Sequence, residues 1–465
     1  MLDYLFQDKK FYSTLLKLAI PIAAQNFVAS AVNMVDTVMI GQLGETEIAA
    51  VGQANQLFFL FALTLFGVSS GTAIFTAQYW GVRDVKNIRR VLGLGLMTAC
   101  ASALIFTVLA VFFPRQVMMI YSSDPLVIDS GVKYLRIVGL SYIVSAISFS
   151  YSSVLRSTEQ AKIPMVLSII ALITNVILNY ALIFGKMGLP EMGVEGAALA
   201  TMIARVVEFV LMLIVVYTGK FVPAARLKEM FDWSKAFVIR FYRTAIPVIL
   251  NESIWALGVS VYSIIYGRIG TDAVAAVNIA STITSVGMVL FQGMGNASGI
   301  MIGNQIGAGE EKQAFLYAKR LLTLGPGFAV VMGGLLILSS QMFLGFYQVS
   351  EAVNHSAVRI LIVFSLLMPI RVFNLINIVG VLRSGGDTKY SLFLDAVGVW
   401  IISIPLALVG GLLLHLPVYW VYFLVGSEEV FKFFLGMNRF RSRRWINNLV
   451  DDSLQITDPV SSTTT

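Results

Sequence analysis

Ionisable and amide side chains are scarce in the apolar runs of this chain, so those that occur there are candidates for chemistry. The first is Asp36, the one acid of the stretch LKLAIPIAAQNFVASAVNMVDTVMIGQLG, residues 16–44. At about 100° per residue, Gln25 and Asp36 point the same way and Asn33 flanks them, which makes a polar stripe down one helix face. A carboxylate in hydrocarbon costs a few kcal/mol or more, so Asp36 should face protein or water and serve as a cation site; the plainer reading is a structural, capped or neutral Asp. Asn175 and Asn179 are four apart, hence on one face, and can offer amide oxygens to a cation or bond between helices. Glu252 falls near mid-membrane depth with Trp255, Ser263 and Tyr266 on the same broad face, a set that suits a weakly hydrated organic cation or plain packing. Arg205 and Glu208, three apart, can pair on one helix. Arg371 and Asp395 carry opposite charge in adjacent spans, and two unpaired charges in an apolar bundle are costly, so they are expected to form a structural pair.

Other chemistry finds little support. The single cysteine, Cys100, lies in an apolar run and permits no disulfide within the chain. His355 and His415 sit near expected loop ends and make no metal cluster. There is no phosphate-cradling Gly-Lys-Ser/Thr loop, no His-Glu-x-x-His and no nucleophile elbow at a strand-to-helix turn, so neither an ATP motor nor an enzyme is expected.

These side chains must be held by membrane helices. The chain has 465 residues, 57% of them hydrophobic and 13% charged, with a mean hydropathy of +0.81. A soluble domain has about a quarter charged residues. Length and apolar content predict twelve helical spans: 16–40, 52–79, 90–113, 132–154, 164–184 and 194–218, then 243–266, 278–303, 317–343, 356–380, 390–413 and 417–436. Basic residues gather on alternate segments, from Lys9 and Lys10 through Arg83 to Arg90, Lys220 to Arg243, and Arg439 to Arg444. That side is read as cytoplasmic, with both termini inside, and the net charge of +7 as a membrane feature rather than a nucleic-acid footprint.

The chain is also duplicated. Ala19-Ile20-Pro21 returns as Ala245-Ile246-Pro247, Ala49-Ala50-Val51 as Ala275-Ala276-Val277, and Gly81 as Gly307, all at a shift of 226 residues. Val154-Leu155-Arg156-Ser157 returns as Val381-Leu382-Arg383-Ser384, and Lys162 as Lys389, at 227. Six spans per copy return the chain to its starting side, so the copies run parallel about an axis along the membrane normal. The expected division is an amphipathic start over 1–15, an amino lobe over 16–219, an amphipathic cytoplasmic linker over 220–242, a carboxy lobe over 243–437 and a tail over 438–465.

The residues Pro21, Asn33-Met34-Val35-Asp36 and Gly41, with Ala77-Gln78-Tyr79-Trp80-Gly81, Gly303-Asn304-Gln305-Ile306-Gly307-Ala308-Gly309 and Leu382-Arg383-Ser384-Gly385-Gly386-Asp387-Thr388, resemble the multidrug and toxic compound extrusion (MATE) transporters over nearly the whole chain. The resemblance implies an all-α polytopic membrane protein of twelve helices in two six-helix bundles facing across a cleft. It implies a secondary antiporter of a bacterial cytoplasmic membrane that exports amphipathic, cationic compounds against protons or sodium. It needs no cofactor beyond that ion and acts as a monomer among membrane lipid. Asp36 resembles the family's first-span acid, which would hold a proton or a sodium ion. Asn175 and Asn179 resemble the fifth-span pair beside it, with Thr201 a looser match on the sixth span. Glu252 resembles the seventh-span acid, which with Trp255, Tyr266, Gln25 and Asn33 would line the substrate path. Two departures stand out: Asn179 replaces an acid found in some members, and Arg371 stands where some have a tenth-span acid, so a second cation site would need Asp395. The alternative within the wider superfamily is a flippase for a lipid-linked saccharide, which would favour a cationic cleft.

Overall fold

The computed structural model describes residues 8–345 and 349–450. The described residues are helical, without strands. The helices are α1 (Lys9–Gly41), α2 (Glu45–Gly81), α3 (Val85–Phe112), α4 in two pieces (Pro125–Val138 and Ser141–Ser157), α5 (Lys162–Ile183), α6 (Gly193–Thr218), α7 (Lys235–Ile269), α8 (Thr271–Gly307), α9 (Glu311–Leu344), α10 (Glu351–Leu382), α11 (Thr388–Leu413) and α12 (Val418–Arg441). Ten of these are long and apolar enough to cross a bilayer by themselves, and the two halves of α4, bent by 50°, make an eleventh together. The expected twelfth span, 417–436, is the helix α12, which is less apolar because Glu428, Glu429 and Lys432 lie within it. Large apolar side chains face outward, such as Leu338 at 84% exposed, as a lipid-facing surface requires.

Several boundaries differ from the sequence expectation. Residues 9–15 continue into α1 rather than forming a separate amphipathic start, and the rest of that start, 1–7, lies outside the described residues. Asp8 caps α1 by accepting from the Phe11 amide at 3.0 Å and meets Arg320 of α9 at 2.8 Å. The Phe11 amide, with Arg320 beside it, holds the Asp8 carboxyl below the usual value. The linker is shorter than expected, because α7 already begins at Lys235. It docks on the start of α3, with Glu229 at 3.0 Å from Arg89, Asp232 at 2.5 Å from Arg90, and Met230 buried against Gly93.

Each copy sends its first helix across to the other. α1 packs on α8 and on α5, while α7 packs on α2 and on α11. Pro21 and Pro247 lie inside α1 and α7, each removing one helical hydrogen bond at the repeat-equivalent place. α2 and α8 cross closely at their ends. A Cβ on Gly81 would stand 2.1 Å from the Asn304 carbonyl oxygen, and one on Gly307 would stand 1.8 Å from that of Gln78. Only glycine lets both crossings close.

The tail after α12 does not leave the molecule at once. Trp445 is fully buried, with its carbonyl against Gly385. Asn447 donates to the Gly385 carbonyl at 2.8 Å, and Asn448 donates to that of Ile306 at 3.1 Å. Gln78 of α2 donates to the carbonyls of Ser384, at 2.8 Å, and Asn447, at 3.1 Å, and accepts from the Leu449 amide at 2.7 Å. The tail therefore joins the amino-lobe helix α2 to the carboxy lobe. The acidic Asp451-Asp452 and the Ser/Thr-rich end lie outside the described residues.

Candidate functional site

α1 and α5 run parallel, and the polar stripe of α1 faces α5. Asp36 is buried and accepts from Asn179 Nδ2. Asn179 also donates to Asn175 Oδ1 at 3.2 Å, and Asn175 donates to Thr201 Oγ1 of α6 at 3.3 Å. The structure thus brings together Asp36, Asn175, Asn179 and Thr201, as a chain of hydrogen bonds across three helices. Among the described residues no cationic side chain lies within 4.0 Å of Asp36. Its carboxylate has an amide partner but no cation in contact; the charge of Arg205 on α6 reaches it only from a distance. Asn179 Oδ1 is buried with no donor, leaving a bare oxygen at the same spot. A carboxylate, an uncommitted amide oxygen and a hydroxyl are a hard-oxygen set that suits a proton or one alkali cation. Among the described residues no cluster of three or more His, Cys, Asp or Glu could hold a metal.

Other parts of the stripe are placed differently. Gln25 donates to Ser168 of α5 at 3.1 Å and accepts from Arg156 at 2.9 Å, while Ser168 donates to Glu208 at 2.7 Å. Asn33 is exposed and does not join Asp36; only its carbonyl is used, by Thr37 at 2.8 Å. Arg205 and Glu208 do not pair. Arg205 donates to Ser145 at 3.0 Å and lies over the Phe58 ring, because the kinked α4 offers a nearer acceptor.

The carboxy lobe departs from expectation in two ways. Arg371 and Asp395 are not partners. Asp395 meets Lys432 of α12 at 2.8 Å and accepts from Asn251 of α7 at 2.9 Å, whereas Arg371 meets Glu429 of α12 at 3.9 Å. The physical reason is α12, whose Glu428, Glu429 and Lys432 supply nearer opposite charges than α10 and α11 offer each other. Lys432 also meets Glu428 at 3.6 Å, and Tyr262 donates to Glu428 at 3.4 Å. Asp395 is therefore committed to an ion pair and does not stand as a second free cation site. Glu252 is likewise committed, to Arg383 at 2.7 Å. Trp255 is exposed, and Tyr266 is buried about 21 Å along the helix from Glu252, so the three do not form an aromatic cage.

Sequence reasoning missed Lys432, Glu428 and Glu429, and read Arg383 as part of a repeat and of a family motif, not as a partner of Glu252. The duplication itself carried the signal. A shift of 227 takes Arg205 to Lys432 and Ser168 to Asp395, and a shift of 226 takes Gln25 to Asn251. The Gln25–Ser168 bond thus recurs as Asn251–Asp395. Asp36 maps to Tyr262, so the carboxylate site exists in one copy alone.

A duplicated bundle of apolar helices, with one buried carboxylate that no cationic side chain touches among the described residues, has the build of an ion-coupled membrane transporter. The family model described as MatE matches residues 21–181 and again 247–409, so it finds the same two copies. The chain belongs to the MatE family. It is 26% identical over 442 residues to the uncharacterized transporter YisQ of Bacillus subtilis, covering 94% of this chain and 96% of that one. It is 26% identical over 405 residues to a probable multidrug resistance protein NorM of Agrobacterium fabrum, covering 85% and 86%. Among solved structures, an outward-facing multidrug resistance MATE transporter superposes with a TM-score of 0.83 at 18% identity, covering 95% of this chain and 98% of the other.

Proposed function

We propose that this protein is an antiporter that exports amphipathic organic compounds by alternating access, with the coupling cation held at Asp36. One observation carries the reading: a buried carboxylate joined only to amides and a hydroxyl, on the helix that packs against both α5 of its own lobe and α8 of the other. A buried carboxylate that touches no cationic side chain is best accommodated in such a place when a proton or cation can join it. Occupancy then alters the packing of α1 against α5, and α1 transmits this to the interface between lobes.

The basic segments support a reading in which both termini face the cytoplasm of a bacterial cell, and the presence of both lobes in one chain supports a monomer in the lipid bilayer as the working unit. The named relatives NorM support the multidrug class of substrate. The test is efflux of a fluorescent amphipathic dye from proteoliposomes, with the pH and sodium gradients imposed and dissipated separately. Export that follows one gradient and stops when it is collapsed is the expected result; dye flux indifferent to both gradients contradicts coupling.

A further inference from the structure

A cavity of about 60 Å³ lies between the lobes, away from Asp36, with room for a few waters or one small polar group. It sits on the axis that relates the two copies. Its lining includes the repeat-related pairs Ser70 and Asn296, Arg156 and Arg383, and Ser157 and Ser384. We propose that this axial cavity binds the anionic group of a transported amphiphile, a phosphate, sulfonate or carboxylate, between Arg156 and Arg383. The inference deepens the transporter reading above and rests on it for the word transported.

Charge is the first argument. Two guanidinium groups line the cavity, and a single carboxylate, Glu252, answers them, at 2.7 Å from Arg383. Arg156 meets the Gln25 amide, at 2.9 Å, and lies over the Phe149 ring, with no carboxylate within 4.0 Å among the described residues. The nearest acid on its hydrogen-bond chain, Glu208, is separated from it by two neutral groups, Gln25 and Ser168. One positive charge is left over, and an enclosed charge without a partner is expensive.

Hydrogen-bond polarity is the second argument. Arg383 Nε and Ser69 Oγ, both from residues that line the cavity, are buried without a partner. A guanidinium nitrogen can only donate, so what the site lacks is an acceptor. An ammonium head group brings none. An oxyanion supplies several, and the planar fork of arginine matches it. Such a group has two sources, a soluble amphiphile or a lipid headgroup. The acid expected to make the cleft suit a cation, Glu252, is already partnered by Arg383, so the cavity has the charge sign that a lipid-linked phosphate would also need.

The test is binding in nanodiscs of phosphatidylcholine, using a pyrene sulfonate and its trimethylammonium counterpart, read by fluorescence anisotropy. The wild type is expected to bind the sulfonate at least tenfold tighter. Arg156→Gln should lose at least tenfold, with Arg156→Lys keeping part of the affinity. Glu252→Gln, which frees the charge of Arg383, should tighten sulfonate binding, and it carries the test if Arg156→Gln does not fold. Replacing a third of the lipid by phosphatidylglycerol separates the sources. Weaker sulfonate binding in the wild type, beyond any change in Arg156→Gln, identifies a lipid headgroup as occupant; no such difference identifies a soluble amphiphile. Equal affinity for the two probes, or sulfonate affinity unchanged in both variants, overturns the proposal. Sulfonate preference lost with gradient-driven export intact defeats this inference alone, whereas sulfonate binding without any export defeats the transporter reading alone.

Discussion

Asp36 and Asn179 meet across α1 and α5 at a separation of 143 residues, the same separation that joins Gln25 to Ser168 on those two helices. Equal separations at two points, eleven residues apart on each helix, mean that α1 and α5 run parallel in fixed register. A slip of one residue would rotate the stripe by about 100° and break both contacts together. The Asp36 site is therefore set by the seating of a whole helix.

Lys432 holds two carboxylates, Asp395 and Glu428, while itself nearly fully buried. Lys432→Met strands both, whereas Asp395→Asn leaves Lys432 with Glu428. The lysine variant should lose about 3–5 kcal/mol, the scale for breaking a buried pair, and the asparagine variant clearly less. Thermal unfolding of the purified proteins checks the order, and equal losses would mean that the cluster does not share its charge in this way.

The tail prediction follows from Trp445 and Gln78. Trp445→Ala should cost about 3–5 kcal/mol, as for other fully buried tryptophans. Truncation after Arg444 should in addition expose the seam between α2 and the carboxy lobe. With Cys100 replaced by Ala and Ser384 by Cys, a water-soluble maleimide should label the truncated protein faster than the full chain. Unchanged labelling would show that the seam is closed without the tail.

The crossing of α2 and α8 predicts that Gly81→Ala and Gly307→Ala each lower the melting temperature, since the new methyl meets backbone oxygen rather than a yielding side chain. Gly287, inside α8 with nothing within 4 Å of its Cβ position, is the control. Gly287→Ala should be neutral or stabilising, by up to about 1 kcal/mol.

At the amino end, Asp8 should contribute stability that is fully present above about pH 4, the ordinary range of an aspartate. Its carboxyl is held lower in the folded protein, so that contribution is lost as pH falls through the folded value. Asp8→Ala should lower stability at pH 7 by about 0.5–2 kcal/mol through the lost cap alone, and the deficit should shrink in acid. A deficit independent of pH would remove the charge from the argument.

The duplication, the helical spans and the Asp36 stripe were legible in the chain because a polar side chain in an apolar run has few harmless explanations. Partners between helices were harder to read. Periodicity tells which residues share a face, but not which neighbouring helix that face meets, and so Arg371 was matched to Asp395 when both belonged to charges on α12. Glu428, Glu429 and Lys432 lie toward the later half of the last apolar run, where charges are ordinary at a membrane edge, so the sequence alone does not mark them as partners. The tail was invisible for another reason: Asn447, Asn448 and Leu449 bond mainly through backbone and amide groups, which no hydropathy pattern marks.

The most direct measurement of the central claim is counterflow in proteoliposomes carrying wild-type protein or Asp36→Asn. An outward dye gradient is imposed, and the inward movement of protons and of sodium is recorded separately. The wild type should drive one of the two ions, and Asp36→Asn should drive neither, while keeping a normal melting temperature and normal dye binding. Ion movement in Asp36→Asn at the wild-type rate would contradict the assignment of the coupling site to Asp36.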